Sequence, residues 1–76
     1  MASILAMDPI APLLQIQVPL GGQSLELHEI VHAAGAMPLL RVRIREGKRF
    51  TVLDIDPVSA QRWGAAMIAW ARRQPG

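Results

Sequence analysis

The chain contains no cysteine and no tyrosine, and only one phenylalanine and two tryptophans among its 76 residues. Without cysteine no disulfide can staple the fold, and this composition favours a reducing, intracellular compartment. No apolar run reaches the roughly 20 residues that span a bilayer, and the N-terminus lacks the basic segment of a signal peptide. We therefore expect a cytoplasmic protein without membrane insertion.

Charge is also sparse. The net charge of +2 is weak for a dedicated nucleic-acid binder. Apolar residues make up 51% of the chain, although so short a domain buries only about 60–65% of its unfolded surface. We therefore expect apolar surface to remain for a homodimer partner or a larger protein.

Residues 1–12 are predicted to be an apolar N-terminal arm, and residues 13–76 a single domain. Pro9 and Pro12 interrupt any regular element in the arm. An ordered apolar arm lies on its own domain or on a neighbour, so we expect interface contacts from Ile4, Leu5, Met7 and Ile10.

The alternation of apolar residues after the arm predicts a strand over residues 14–20. A two-residue turn at Gly21-Gly22 would set Val18 opposite Leu25 and Ile16 opposite Leu27. The following segment, 24–34, fits a strand or a helix. We favour a strand over 23–32 with a bulge near Glu29.

A second hairpin is predicted from strands over 39–46 and 49–55. Gly47-Lys48 suits a type II′ turn, which sets Ile44 opposite Thr51 on one face. We expect the other face to pair Glu46 with Arg49, Arg45 with Phe50, Arg43 with Val52 and Arg41 with Asp54.

A helix is predicted over 57–72, because Asp56 is a good N-cap and Pro57 suits the first helical position. The fold class is α+β: a four-stranded antiparallel meander sheet with one C-terminal helix packed on it. The helix is apolar around most of its circumference, which predicts burial on more than one side. Its predicted partner contacts are Trp63, Met67, Ile68 and Trp70.

One motif invites an enzymatic interpretation: residues 28–32 read HEIVH, an HExxH pattern. In zinc hydrolases a helix places both histidines one turn apart on one metal. If the segment is instead a strand, His28 and His32 lie about 13 Å apart and cannot share an ion. We therefore predict no metal, no cofactor and no catalytic residues, and keep a minimal zinc hydrolase as a third interpretation.

Five of the eight basic residues lie within nine positions. Three of them alternate along one strand, about 6–7 Å apart, with an aromatic residue across from them. Such a face can hold single-stranded nucleic acid, meet an acidic protein surface, or be a solvated ion-pair ladder. The candidate binding residues are Arg41, Arg43, Arg45, Lys48, Arg49 and Phe50.

Two hairpins followed by a helix resemble the positive-cofactor-four type of transcriptional coactivator and, more distantly, the Whirly proteins. The segment GKRFTVL at 47–53, the Asp56-Pro57 helix start and Trp63 carry the resemblance, over roughly the C-terminal half. That family binds single-stranded DNA on a curved sheet and dimerises through its helices. The resemblance implies that Arg43, Arg45 and Lys48 contact the backbone of the single-stranded DNA and that Trp63 packs between helices. The modest charge and the apolar arm depart from the family pattern.

The sequence as a whole favours a small non-catalytic binding module. We expect an accessory subunit that docks on a larger protein through its N-terminal arm and apolar helix. The alternative is a dimeric single-stranded nucleic-acid-binding protein that uses the arginine-rich sheet face.

Overall fold

Four antiparallel strands form one open sheet in the order β1-β2-β3-β4, and a helix follows them. The computed structural model describes residues 10–76, with side-chain exposure described from Pro12 onwards. The elements are β1 (Ile10–Gln17), β2 (Ser24–Ile30), β3 (Leu39–Glu46), β4 (Arg49–Ile55) and helix α1 (Pro57–Arg72). This is the predicted α+β meander with one C-terminal helix.

Strand β1 begins earlier than predicted, so Ile10 to Pro12, which were assigned to the arm, belong to the sheet. Proline is tolerated there because β1 is an edge strand, where a missing N–H breaks no inner ladder. The register between β1 and β2 shifts between Pro12 and Leu14. The bulge predicted near Glu29 in β2 is therefore found in β1 instead.

The first hairpin also closes differently from the prediction. Ile16 pairs with Leu25 rather than with Leu27, and the Val18 N–H donates to the Gln23 carbonyl at 2.7 Å. The loop thus comprises four residues, 19–22, because Pro19 has no N–H for a ladder and the chain leaves the strand before it. Gly22 supplies the positive φ, 72°. The register error is two residues, so every side chain keeps its predicted face.

The second hairpin matches its predicted register throughout, from Leu40 opposite Ile55 to Glu46 opposite Arg49. Gly47 has a φ of 59°, whereas Lys48 does not have a positive φ. A type II′ turn requires a positive φ at its first central position only, so the predicted turn is confirmed.

Helix α1 has the predicted bounds and start. Asp56 Oδ2 accepts hydrogen bonds from the Val58 and Ser59 backbone N–H groups, both at 3.1 Å. The Ser59 hydroxyl donates to Oδ1 of the same carboxylate at 2.5 Å. These bonds satisfy donors that every helix start leaves open.

The core is very small. Among the described side chains only Ile30 and Val42 are buried, at 3% and 6% exposure. Helix α1 lies over the sheet and approaches β3, but none of its residues is buried. A cavity of about 310 Å³ separates the helix from the sheet. The predicted burial of α1 on two sides is therefore not achieved within one chain.

Candidate interaction surfaces

The two faces of the sheet differ sharply in chemistry. The face towards α1, called the apolar face, carries side chains from all four strands: Leu14, Ile16, Leu25, Leu27, Leu40, Val42, Ile44, Leu53 and Ile55. Leu14, Ile16 and Leu53 on the two edge strands keep 45–48% of their area exposed. An apolar face of this extent is normally covered by another layer of structure.

Helix α1 also leaves large apolar side chains exposed. Trp63 and Met67 line the cavity above the apolar face, yet remain 43% and 53% exposed. Ile68 and Trp70, the other two predicted helix contacts, are 54% and 60% exposed. Of the predicted arm contacts, Ile10 begins β1, whereas Ile4, Leu5 and Met7 lie outside the described residues.

The opposite face, called the arginine face, contains Arg41, Arg43, Arg45 and Phe50. Arg41 forms a two-bond fork with Asp54 across the β3–β4 pair, at 2.8 Å from Nε to Oδ1 and 2.9 Å from Nη2 to Oδ2. This hydrogen bonding lowers the pKa of Asp54 and raises the pKa of Arg41. Arg41 is thus engaged within the chain, as its predicted cross-strand pairing implied.

Arg43 and Arg45 share one aromatic ring. The guanidinium carbon of Arg43 lies 4.7 Å from the centroid of the Phe50 ring, and that of Arg45 lies 5.8 Å from it. Both distances fall within the range of cation–π attraction. Arg43 also lies 3.7 Å from a Glu26 oxygen, at the outer limit of an ion pair. These two arginines therefore keep more of their donors for a ligand than Arg41 does.

A shallow concavity of about 470 Å³ opens on this face, lined by His28, Arg41, Arg43, Phe50 and Val52. His28 Nε2 lies 3.8 Å from the Glu26 carboxylate. The concavity thus combines two guanidinium groups with an aromatic ring, which is a suitable surface for an anionic, planar group.

The structure separates two predicted binding residues from the others. Lys48 lies in the exposed β3–β4 turn. Arg49 pairs in register with Glu46, and Glu46 accepts a hydrogen bond from Gln23 at 3.0 Å. Alternation along β4 places Arg49 on the same side as Leu53 and Ile55. The assignment of the Glu46–Arg49 pair to the arginine face was therefore wrong. Consecutive side chains of a strand point to opposite faces, so this pair cannot share a face with the Arg45–Phe50 pair beside it.

The HExxH segment is not helical. His28 and Glu29 lie in β2, which ends at Ile30, and His32 belongs to the following loop. Strand geometry removes the one-turn spacing on which the zinc motif depends. His28 instead points to the arginine face. Within residues 10–76 no group of three or more His, Asp or Glu side chains could hold a metal ion.

Sequence reasoning missed the sheet's contribution to the apolar surface. The predicted interface residues were confined to the arm and the helix, whereas Leu14, Ile16 and Leu53 are also exposed. The alternation of apolar residues along the strands identified the face that points towards the helix. It did not show that the helix of the same chain would leave part of this face uncovered. Within the described part of the chain, no helix has the length and apolar content needed to cross a bilayer.

The profile of the Family of unknown function (DUF6967) matches residues 7–73, nearly the whole chain, and the protein belongs to this family. No curated protein and no solved structure gives a significant match.

Proposed function

We propose that this protein is a non-catalytic binding module, an accessory subunit that docks on another protein through the apolar face and helix α1. The exposure of large apolar side chains on both walls of one cavity carries the proposal. A contiguous patch of this kind is typical of a protein interaction site. The sequence predicts that the N-terminal arm extends the same contact.

Covering this apolar surface is strongly favourable. Burying about 400 Å² of apolar surface contributes on the order of 10 kcal/mol before association costs. That gain is comparable to the whole stability of a small domain, about 5–15 kcal/mol. With two buried side chains in its described part, the folded chain gains more from covering this surface than from any polar contact.

A matched pair of helix variants tests this proposal. Met67→Lys places a charge at the cavity, whereas Ala69→Lys adds the same charge at an exposed position on the opposite side of the same helix. We expect a tagged chain in its native cells to retain one stoichiometric protein, itself or another, in the wild-type and Ala69→Lys forms but not in the Met67→Lys form. Equal retention by all three forms would contradict docking through this surface.

A second candidate function is favoured by the two arginines on Phe50. Guanidinium groups beside an aromatic ring can contact phosphates while a base stacks, as in proteins that bind single strands. The resemblance to the positive-cofactor-four type of coactivator points to the same face. Because Arg41 is held by Asp54, we assign the contacts to Arg43, Arg45 and Phe50.

The nucleic-acid alternative is tested by anisotropy with a labelled single-stranded oligonucleotide at several salt concentrations. We expect Arg43→Ala/Arg45→Ala to weaken binding about tenfold or more and to flatten its salt dependence. Arg72→Ala/Arg73→Ala removes the same charge at the end of α1 and serves as the control. Equal losses in both double variants would indicate unspecific attraction and exclude a site on the sheet.

A further inference from the structure

We propose that the open edge of β4 binds an extended acidic segment of a partner protein, which adds a fifth, antiparallel strand to the sheet. This inference rests on the proposed docking function and identifies the part of the partner that is recognised. The main chain of β4 supplies the hydrogen bonds, and the arginine face selects acidic side chains. Three features support it: the contrast between the two sheet edges, the main-chain groups of β4 and the position of two guanidinium groups.

The two edges of the sheet are protected to different extents. Strand β1, at one edge, contains Pro12 and a register shift beside it, and both features hinder the pairing of a further strand. Strand β4, at the other edge, pairs with β3 in an unbroken register and contains neither proline nor lysine. Its one carboxylate, Asp54, is held by Arg41, and residues 49–54 are all exposed. An unprotected edge strand readily accepts another strand.

Every second residue of β4 directs its main-chain N–H and C=O groups away from β3. The pair that closes the two-residue turn, Glu46 and Arg49, is the hydrogen-bonded kind, and the two kinds of pair alternate along an antiparallel ladder. The main-chain groups of Phe50, Val52 and Asp54 therefore point outwards. Within residues 10–76 no turn, loop or cap hydrogen bond involves them. They form a row with a spacing of about 6–7 Å, which matches the groups of an extended segment.

The charges beside β4 select acidic side chains on the added strand. Arg43 and Arg45 belong to β3, but their guanidinium groups lie over the Phe50 ring of β4 and hence near the open edge. A residue opposite Phe50 or Val52 would point to the same face. A glutamate at either place would form charge-assisted hydrogen bonds with these guanidinium groups. The residues between would lie beside Leu53 and extend the apolar face.

A second copy of this chain fits the edge less well. Two copies that pair through β4 would join two arginine faces, and proximity of like charges is unfavourable. The Asp54 carboxylate of an added copy would be held by its own Arg41, so it would bring no free acid to Arg43 and Arg45. The complementary occupant is therefore a segment in which apolar and acidic residues alternate.

A synthetic peptide with the sequence Val-Thr-Val-Glu-Val-Glu-Val, blocked at both ends and labelled, serves as the probe. In the antiparallel pair its second, fourth and sixth residues lie opposite Asp54, Val52 and Phe50, and their N–H groups point to β4. By fluorescence anisotropy, we expect N-methylation of these three residues to weaken binding about tenfold or more. N-methylation of the third, fifth and seventh residues alters only the outer edge and should change the affinity about twofold at most.

Protein variants separate main-chain pairing from charge. Val52→Pro removes an outward N–H without breaking the β3–β4 ladder, and we expect it to weaken peptide binding about tenfold. Val52→Ala shortens the side chain but keeps the N–H, so the loss should be much smaller. Arg43→Ala/Arg45→Ala should also weaken binding about tenfold, whereas Arg72→Ala/Arg73→Ala at the end of α1 should not. Circular dichroism of each variant checks that the fold is retained.

Hydrogen exchange of single amides locates the bound peptide. Saturation with the peptide should slow exchange at Phe50, Val52 and Asp54, while Thr51 and Leu53, whose N–H groups already bond to β3, should change little. Protection of the first three amides that rises with the concentration of the free chain would show that a second copy occupies the edge, and it would overturn the proposal. Equal effects of the two methylations, or no binding at about millimolar peptide, would also overturn it.

Failure of strand addition is distinguishable from failure of the proposed docking function. If Met67→Lys releases the cellular partner but the peptide does not bind, docking through the apolar face stands and strand addition is excluded. If the peptide binds as expected and Met67→Lys still retains the partner, β4 is an interaction site and the apolar face is not.

Discussion

At the scale of single residues, the arginine face contains two kinds of arginine. Arg41 is fixed by its fork to Asp54, whereas Arg43 and Arg45 lie over Phe50. The Arg41–Asp54 pair could be predicted from sequence, because the register of a hairpin with a two-residue turn dictates which residues face each other. The sharing of the Phe50 ring by Arg43 and Arg45 could not be predicted from sequence, because it depends on side-chain rotamers that strand alternation does not specify.

The depressed carboxylate pKa values lead to a prediction about acid stability. Hydrogen bonds from Arg41 lower the pKa of Asp54, and those from Ser59 lower the pKa of Asp56. In the unfolded chain both groups titrate near pH 4. Since the folded values lie lower, their stabilising contribution is present above about pH 4 and is lost as the pH falls through the folded values.

We therefore expect the Tm to fall when the pH is lowered from about 5 to 3, and to fall less in Asp54→Asn. Thermal unfolding followed by circular dichroism measures this difference. Glu29→Gln removes an exposed carboxylate from β2 and serves as the control. An equal Tm decrease in Asp54→Asn and the wild type would show that the Arg41–Asp54 pair does not contribute to acid sensitivity.

At the scale of elements, the predictable features are those that local chemistry determines. The Gly47-Lys48 turn and the Asp56-Pro57 helix start were both predicted correctly, because each needs particular residue types at adjacent positions. The β1–β2 hairpin was predicted with the wrong register. The turn was assigned to the two glycines alone, although Pro19 lacks the N–H that would continue the strand. Whether Ser24–Ile30 is a strand or a helix could not be decided from periodicity, and pairing with β1 and β3 determines it.

The cap of α1 gives a prediction at this scale. Asp56→Ala removes acceptors for the Val58 and Ser59 N–H groups, so we expect the Tm to decrease by several degrees. Asp56→Asn keeps an acceptor oxygen and should recover most of the loss. Thermal melts at neutral pH compare the variants. A Tm for Asp56→Ala equal to that of the wild type would show that the capping hydrogen bonds of Asp56 do not stabilise the fold.

At the scale of the whole molecule, the sheet and α1 do not form a closed core. The sequence shows that α1 is apolar around most of its circumference, and from this a partner that covers the helix was predicted. It did not predict how little of the apolar face one helix would cover, because the angle and distance between helix and sheet depend on the packing of many side chains together. Edge residues such as Leu14 and Leu53 therefore remain exposed.

Association should make the stability depend on concentration. Anything that binds only the folded state raises the Tm by mass action, so a self-associating chain melts at a higher temperature when it is more concentrated. We expect a Tm rise of several degrees over a hundredfold increase in protein concentration. Met67→Lys should melt at one temperature throughout. A wild-type Tm that does not change with concentration would contradict self-association.

The placement of the aromatic residues has a spectroscopic consequence. Both tryptophans, Trp63 and Trp70, lie on α1, the chain has no tyrosine, and its one phenylalanine is in the sheet. Ultraviolet emission from this protein therefore reports on the helix alone. Both indoles are substantially exposed in the single chain, so a shift of their emission to shorter wavelength marks the moment when the helix surface is covered. The molecule therefore carries its own optical reporter of docking, because the emission responds to whatever covers the helix and the cavity that Trp63 lines.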